Sequence, residues 1–527
     1  MSRVRSAVLT AGLALAMAFP TQAGGQTEML VLTRGVDTIS VERLHRTPTR
    51  LEAELVDRIQ KVRWSYAVTL QDGRAVRMEN AIRRADGDPS GPALQEATLR
   101  FVGDSVLIEI RDPGGSTRTQ RLGSGPGATP FLNPSFALME LVLARLPAAA
   151  PDTLSVPVFM VAGGQTLMAR VYHLAPDSVA IALGAESRLW VAPDGRILGG
   201  AVPAQGLTIT RAPASDAALH VPRPDYSAPE GAPYLAEQVS VPTTLGFSLA
   251  GTLTLPRERR GLVPAVVTIT GSGGQDRDEE IPLVRGYRPF RQLADTLGRA
   301  GIAVLRMDDR GVGGSGGAGG NPTTAELARD IAAGIDWLAT RPEIDPGRIA
   351  LVGHSEGGVI APLLAAEGSP VRAIVVLAGP SRTGRSILEY QNRYAIERAP
   401  TIRPEARDSA FAVALRMLDS ATASNRWIAW FADYDPKLAA ARVRVPTLIL
   451  HGATDRQVTA DQAEELGAAI RAGGNRDVTV VVFPDANHLF VQDPDGNPAG
   501  YSNLPEAEIR GDVIGTLVAW LVRTLTP

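Results

Sequence analysis

Two patterns of hydrophobic and polar residues divide the chain. From Thr27 to Thr210, apolar and polar residues alternate in short runs around DG, GD and PD turns, as in "WSYAVTLQDGRAVRM" and "ATLRFVGDSVLIEIRDPGG". This alternation predicts antiparallel hairpins. Apolar residues recur at helical spacing only between Asn133 and Leu146, which predicts one helix there. We therefore expect a mostly antiparallel β domain over residues 24–211.

Beyond a Pro-, Ala- and Ser-rich stretch at 212–233, which we interpret as a linker, the apolar runs become continuous. They read "VVTITG", "IAVLRMDD", "RIALVGHS", "RAIVVLAG", "PTLILHG" and "VTVVVFP". Such runs are typical of strands buried on both faces of a parallel sheet. Amphipathic helical segments separate them, so residues 234–527 are predicted to form a doubly wound, mostly parallel α/β domain. The segment "VSVPTTLGFSLAGTLTLP" predicts a leading hairpin, and the apolar spacing of Val513 and Leu517 predicts a closing helix.

About sixty residues of helical character separate the strand that ends at Ala378 from the strand that starts at Val445. Ligands bind at the carboxyl edge of α/β sheets, so an insertion there, at about 381–440, is predicted to form a helical cap. The alternative is an ordinary helical excursion whose aromatic residues, including Trp427, Trp430 and Phe431, belong to the core.

The first 23 residues have the pattern of a secretory signal peptide. Arg3 and Arg5 precede an apolar run from Ala7 to Phe19, and small residues end the segment at Thr21-Gln22-Ala23. The run is short for a membrane span, so we expect export to the periplasm or medium and no stable membrane anchor; a retained helix is the alternative. The chain has no Cys, which excludes disulfides, thiol nucleophiles and lipid attachment through cysteine.

Composition narrows the classes of function. With 527 residues, 44% of them apolar and 21% charged, the chain is long and apolar enough for two or three globular units. The 53 Lys and Arg residues against 56 Asp and Glu residues provide no basic surface for a phosphate backbone, so nucleic acid is not an expected partner. No internal repeat is visible, which argues against a β-propeller.

The segment "ALVGHSEGG" places Ser355 between a buried strand and a helix. Glycines two residues before and two after a serine allow the tight strand-to-helix turn of a nucleophile elbow. In a chain with 53 Gly the GxSxG pattern alone is weak, but this context makes it strong. Ser355 is therefore the candidate nucleophile.

A serine nucleophile needs a base and an acid. Of six His residues, His488 in "FPDANHLF" follows the last predicted strand, at the carboxyl edge where the base belongs. His354 is expected to point away from the site, and His451 to pack at its strand end. Asp455, in "HGATDRQV", follows the preceding strand and is the preferred acid over Asp433, Asp435 and Asp485. The order Ser355, Asp455, His488 is that of α/β hydrolases.

An oxyanion hole needs two N–H donors. The backbone of Glu356, at the helix start, is one candidate, and the loop "GSGGQDRDE" after the strand "VVTIT" offers Ser272 and then Gly273. This loop does not fit a nucleotide-binding pattern.

The loop "DDRGVGGSGG" matches GxGxxG, but no helix starts at the right place for a pyrophosphate. Its polar residues either contact substrate or form a network that holds the oxyanion loop, and we favour the network. The residues concerned are Asp309, Arg310, Gly311, Gly313 and Ser315.

The portion from about Tyr234 to Thr526 resembles the α/β-hydrolase superfamily. More narrowly, it resembles EstD-type bacterial carboxylesterases and serine aminopeptidase-like hydrolases. The resemblance rests on "GFSLAGTLTLP", "GSGGQDRDE", "DDRGVGGS", "GHSEGG", "YDP", "PTLILHGATDRQV" and "NHLF", in that order. It implies Ser355, Asp455 and His488 as the triad and a helical cap. The β domain lies outside the resemblance.

The sequence thus predicts a serine carboxylesterase that acts on small to medium acyl or aryl esters through an acyl-enzyme. A serine peptidase or an acyltransferase with the same triad is the alternative, because fold and triad alone do not separate them. A third possibility is a binding protein whose hydrolase domain is vestigial, which an intact triad disfavours. No metal or organic cofactor is expected. The role of the β domain and the oligomeric state are left open.

Overall fold

The computed structural model describes residues 27–91, 93–111, 115–146, 153–282, 284–317, 321–400 and 402–526. The predicted signal peptide lies outside these residues. The chain divides into two units, Met1–Pro224 and Asp225–Pro527, so the division falls inside the segment predicted as a linker. No helix in the described ranges is long and apolar enough to cross a membrane.

The described residues of the first unit form one fifteen-stranded sheet with two helices. The alternating sequence pattern builds this sheet, in which every pairing is antiparallel except that of β9 with β10. The strand order is β8-β7-β6-β5-β4-β3-β2-β1-β15-β14-β13-β12-β11-β10-β9. The elements are β1 (Glu28–Arg34), β2 (Asp37–Arg46), β3 (Arg50–Asp57), β4 (Val62–Gln71), β5 (Arg74–Arg84), β6 (Gln95–Val102), β7 (Ser105–Arg111), β8 (Thr117–Gly123), β9 (Thr129–Phe131), α1 (Ala137–Leu143), β10 (Leu154–Met160), β11 (Gln165–Ala175), β12 (Ser178–Leu183), β13 (Ala185–Val191), β14 (Ile197–Val202), a 3-10 turn (Pro203–Gln205), β15 (Leu207–Pro213) and α2 (Asp216–Leu219).

Helix α1 is buried along its whole length and packs into the hydrophobic core of this sheet. It is shorter than the helix predicted at Asn133–Leu146, which corrects that expectation. The backbone N–H groups of Phe136 and Ala137 both donate to Oε2 of Glu42 at 2.8 Å. A carboxylate that accepts the first amides of a helix fixes where the helix begins.

The predicted linker also contains more structure than expected. Strand β15 continues to Pro213, and α2 follows at Asp216–Leu219. Leu219 is buried in a small cluster with Met29 and Val41, so this part of the segment packs onto the β unit.

The second unit carries the strands and helices that position the site. Its described elements are β16 (Tyr234–Pro242), β17 (Ser248–Pro256), β18 (Val263–Ile269), α3 (Pro289–Arg299), β19 (Ala303–Met307), α4 (Thr324–Ala339), β20 (Ile344–His354), α5 (Gly357–Ala366), β21 (Ala373–Leu377), α6 (Gly384–Arg398), a 3-10 turn (Pro404–Ala406), α7 (Arg407–Ser424), α8 (Arg426–Asp433), α9 (Pro436–Ala440), β22 (Thr447–Gly452), α10 (Asp461–Ala472), β23 (Val478–Phe483), a 3-10 turn (Pro498–Asn503) and α11 (Gly511–Leu525).

The strands described in this unit form one eight-stranded sheet in the order β16-β17-β19-β18-β20-β21-β22-β23. The predicted leading hairpin is β16 with β17, and the strands from β19 to β23 pair in parallel. Along β20, Ile349 and Leu351 face one core, and Ala350 and Val352 face the other. Helices α4, α5, α9 and α10 contribute to the first core, and α3 and α11 to the second. Burial on both faces explains the continuous apolar runs of the sequence.

Helices α6 to α9 occupy the sequence between β21 and β22, where the cap was predicted. The aromatic residues of this insertion were expected either to belong to a cap or to pack in the core. In α8, Phe431 is buried, as a core residue would be, whereas Trp427 and Trp430 are half-buried. They stack in pairs one turn apart, Trp427 on Phe431 with ring centroids 5.2 Å apart and Trp430 on Tyr434 at 4.4 Å.

Candidate active site

Ser355 lies at the turn between β20 and α5, with a backbone φ of 52°. A positive φ is strained for a residue with a Cβ atom, and it recurs at functional turns. The Ser355 N–H donates to the carbonyl oxygen of Leu377 at 2.9 Å, the last residue of the neighbouring β21. The turn therefore holds Ser355 at the carboxyl edge of the sheet.

Gly353 and Gly357, which flank Ser355, are required because backbone atoms lie too close to them for a side chain to fit. A Cβ atom at Gly353 would lie 2.0 Å from the carbonyl oxygen of Gly357, and one at Gly357 would lie 2.2 Å from that of Ile269. Both distances are far inside van der Waals contact. The spacing of glycines around Ser355 thus reflects a strand and a helix that pack without room for side chains.

Asp455 and His488 are joined directly. Nδ1 of His488 lies 2.7 Å from Oδ2 of Asp455, and both side chains are buried. The other carboxylate oxygen, Oδ1, accepts the backbone N–H groups of Gln457 and Val458 at 2.8 and 2.9 Å. The loop after β22 therefore fixes the carboxylate, which in turn fixes the imidazole ring and directs a proton to Nδ1.

The electrostatics of this pair suit a neutral base beside an ionised acid. Burial alone would raise the pKa of Asp455, but interactions with His488 and His451, hydrogen bonds among them, hold the pKa well below its usual range. Burial lowers the pKa of His488 below its ordinary value, against the opposing effect of Asp455. A neutral imidazole can accept a proton from a hydroxyl group.

The loop that carries His488 is tied to the strand that carries the elbow. Nε2 of His354 lies 3.0 Å from the carbonyl oxygen of His488, and the two rings lie 4.9 Å apart between centroids. Because His354 immediately precedes Ser355, this contact holds the His488 loop beside the turn that contains Ser355.

The loop predicted to supply oxyanion donors passes beside the elbow. A Cβ atom at Gly271 would lie 3.3 Å from the Cβ atom of Ser355. Ser272 and Gly273 follow on exposed backbone, and Gly273 has a φ of 93°. The N–H of Gly271 itself donates to Oε1 of Glu279 at 2.7 Å, which leaves the next residues as the donors to consider.

Glu356 follows Ser355 and has a buried side chain. Its oxygen Oε1 accepts hydrogen bonds from the Thr324 hydroxyl and from Nε1 of Trp427, the latter at 2.8 Å. Burial, offset in part by these bonds, raises the pKa of Glu356. One side chain thereby joins the elbow, α4 and α8 of the insertion.

The loop after β19 holds the oxyanion loop, as favoured from the sequence. Asp309 accepts the hydroxyl of Thr270 and the backbone N–H of Gln275, each at 2.9 Å, and so spans the oxyanion loop. Burial raises the pKa of Asp309 to about 8. Arg310 does not join this network: it pairs with Asp330 on α4 at 2.6 Å.

Two residues of the site have contacts that were not predicted from the sequence. His354 was expected to point elsewhere than at Ser355, and its ring nitrogens do face Glu279 and the backbone of His488, but its link to the His488 loop was not predicted. Glu279 was not singled out, although it ends the "GSGGQDRDE" loop. His451 does pack at its strand end, where Nε2 lies 2.8 Å from the carbonyl oxygen of Val458, but it also lies 3.2 Å from Asp455.

Within the ranges that the structure describes, no group of three or more His, Asp or Glu side chains is arranged to hold a metal ion.

Comparison with known proteins places this unit in a class. The family described as "Serine aminopeptidase, S33" matches residues 286–495, a range that contains Ser355, Asp455 and His488. Esterase EstD of Thermotoga maritima is 27% identical over 317 residues, which cover 57% of this chain and 70% of EstD. An uncharacterized protein of Mycobacterium tuberculosis, Rv2307c, is 35% identical over 142 residues, 27% of this chain and 44% of the relative.

Among solved structures, the Pyrococcus furiosus esterase Pf2001 covers 58% of this chain and 97% of its own, at 18% identity and a TM-score of 0.40. The chain is a serine hydrolase, and its second unit resembles the α/β-hydrolase superfamily. Over more than half of its length it resembles the esterase EstD.

Proposed function

We propose that this chain is a carboxylesterase that uses Ser355, His488 and Asp455 as a catalytic triad. The observation that carries the proposal is the 2.7 Å contact between His488 and Asp455, on a loop tied to the strand of the nucleophile elbow. Its relatedness to EstD supports an ester as the substrate.

In the proposed reaction, His488 accepts the proton of the Ser355 hydroxyl as the oxygen attacks the ester carbonyl. Asp455 stabilises the imidazolium that forms, because its carboxylate is already oriented toward Nδ1. The N–H of Glu356 and an N–H of Ser272 or Gly273 receive the negative charge on the carbonyl oxygen. The imidazolium then protonates the departing alcohol, and a water molecule, deprotonated by His488, hydrolyses the acyl-enzyme.

The helical insertion is proposed to act as a cap that selects small to medium acyl or aryl esters. Helix α8 and Tyr434, the residue after it, supply two stacked aromatic pairs, and Trp427 connects the helix to Glu356, next to the nucleophile. Half-buried aromatic side chains beside a reacting group favour apolar acyl or aryl groups over charged ones.

A peptidase that recognises a free amino group is the second candidate, because the matching family is described as a serine aminopeptidase. Recognition of an amine would need an acidic side chain near the site. Three acidic residues of the insertion pair with arginines instead: Glu389 and Asp419 with Arg385, and Asp408 with Arg393. These pairs favour the ester.

Hydrolysis of p-nitrophenyl esters of increasing acyl length, beside aminoacyl p-nitroanilides, tests the proposal. The wild-type chain should hydrolyse short and medium esters, and Ser355→Ala should abolish the reaction. Ser502→Ala removes an exposed hydroxyl and serves as the matched control. Anilide turnover above ester turnover would favour the peptidase, and equal turnover by wild type and Ser355→Ala would refute the nucleophile.

We also propose that the chain works outside the cytoplasm on a small-molecule ester, with neither nucleic acid nor a membrane anchor as a partner. The signal-peptide pattern of residues 1–23 and the absence of Cys support this proposal. Expression in a secreting bacterium followed by mass measurement of the product should show a chain that begins at Gly24. A product that retains residues 1–23 would contradict it.

A further inference from the structure

A second acid–histidine pair lies next to the proposed triad, with the rings of His354 and His488 4.9 Å apart between centroids. Nδ1 of His354 lies 2.8 Å from Oε1 of Glu279, and both side chains are buried. The same oxygen accepts the N–H of Gly271 at 2.7 Å. On the other side of the ring, Nε2 faces the carbonyl oxygen of His488 at 3.0 Å. The pair therefore contacts the oxyanion loop at one end. At the other end it contacts the loop that carries His488, which is called the base loop below.

The hydrogen-bond partners of His354 define its charge. A backbone carbonyl only accepts, so Nε2 must donate to His488. Oε1 of Glu279 already accepts from Gly271, and a carboxylate oxygen also only accepts, so Nδ1 donates as well. A ring that donates from both nitrogens is an imidazolium. In agreement, Glu279 holds the pKa of His354 above its ordinary value, although burial alone would lower it.

The charged and titratable groups around the two rings belong to several elements. His488 faces Asp455 and His451 from β22 and its loop, His354 from β20, and Tyr501 from the 3-10 turn before α11. His354 faces Glu279, Asp455 and His488. Of these groups, His354 is the positive charge whose ring lies 4.9 Å from that of His488.

We propose that Glu279 and His354 are positioning residues that hold the oxyanion loop and the base loop in register and keep a fixed positive charge beside His488. The proposal rests on the proposed triad. A cation beside the base opposes its protonation, so His488 remains neutral to lower pH. The same cation makes protonated His488 a stronger acid toward the leaving group.

The pH dependence of kcat/KM for p-nitrophenyl acetate separates this role from a merely structural one. In His354→Gln the side-chain amide can still donate to the His488 carbonyl, but the charge is lost. The acid limb should then move upward by about one pH unit, the size expected for one charge about 5 Å away in a partly screened site. His173→Gln makes the same change at an exposed position of β11 and should leave the profile unchanged.

Glu279→Gln provides a second variant, because it keeps an acceptor oxygen for Gly271 and removes the carboxylate that maintains the imidazolium. Its acid limb should move in the same direction. Nitrogen-15 NMR of histidine-labelled wild-type protein gives a readout that needs no activity: at neutral pH one ring should show two protonated nitrogens, and Glu279→Gln should remove that signature.

The outcomes distinguish the two proposals. A neutral His354 in the NMR spectrum, or a rate loss with an unmoved acid limb in both variants, overturns the positioning role while the triad stands. Ester hydrolysis that persists in Ser355→Ala overturns the triad and this inference together, whatever the NMR spectrum shows.

Discussion

Trp427 of the insertion donates its indole N–H to Oε1 of Glu356, the residue after the proposed nucleophile, at 2.8 Å. The buried carboxyl group of Glu356 thus connects the insertion to the residue whose backbone N–H is a proposed oxyanion donor. Trp427→Phe keeps an aromatic ring to stack on Phe431 and removes only the donor.

The loss of this hydrogen bond should weaken the link by about 1 kcal/mol, or about 5-fold in kcat/KM for medium-chain esters. Trp190→Phe makes the same change at an exposed position of β13, and this control should change little. Steady-state kinetics on esters of two chain lengths checks this, and unchanged kcat/KM in Trp427→Phe would show that the contact does not serve the reaction.

Asp455→Asn should leave the fold intact and reduce kcat by roughly 10⁴-fold, since an amide no longer fixes the reactive tautomer of His488 or stabilises its charged form. Asp485→Asn is the matched control: this rival acid is exposed, and Asn tolerates its φ of 54°. Pre-steady-state kinetics with p-nitrophenyl acetate measures the effect. Comparable losses in the two variants would argue against Asp455 as the acid.

Gly353→Ala should destabilise the protein by about 1–3 kcal/mol or more, because the added methyl group meets the Gly357 carbonyl at 2.0 Å. Gly515→Ala adds the same methyl group inside α11, where nothing lies within 4 Å. That control should stabilise the protein by about 0.5–1 kcal/mol. Urea unfolding followed by tryptophan fluorescence compares them, and equal stabilities would mean that the elbow is looser than described.

Much of this site could be predicted from the sequence because its residues follow buried strands. Ser355, Asp455 and His488 each stand just after a continuous apolar run, and the carboxyl ends of parallel strands share one edge. The relation of Glu279 to His354 could not be predicted, since 75 positions separate them and their contact depends on where side chains point after the turns.

In the first unit, too, part of the structure could be predicted from the sequence and part could not. Alternation predicted its hairpins, but the start of α1 depends on Glu42, which lies on β2 and reaches the helix only in the folded sheet. The helix predicted from the local spacing of apolar residues ran from Asn133 to Leu146 and was too long, because local spacing contains no information about such a distant contact.

Activity should persist below pH 6.5, the ordinary pKa of a histidine, because burial lowers the pKa of His488. The base must be neutral, so kcat/KM should fall only as the pH drops through this lowered pKa. The same shift links to stability: unfolding lets His488 take up a proton more readily, so its contribution is lost as the pH falls below 6.5. A kcat/KM profile with its acid midpoint above 6.5 would contradict the neutral buried base.

The most direct test of the central claim, that Ser355 is a nucleophile activated by His488, is reaction with a fluorophosphonate followed by peptide mass mapping. The wild-type chain should carry one adduct, on Ser355, and labelling should be lost in Ser355→Ala and strongly slowed in His488→Ala. An adduct on another serine, or equal labelling of wild type and Ser355→Ala, would contradict the account.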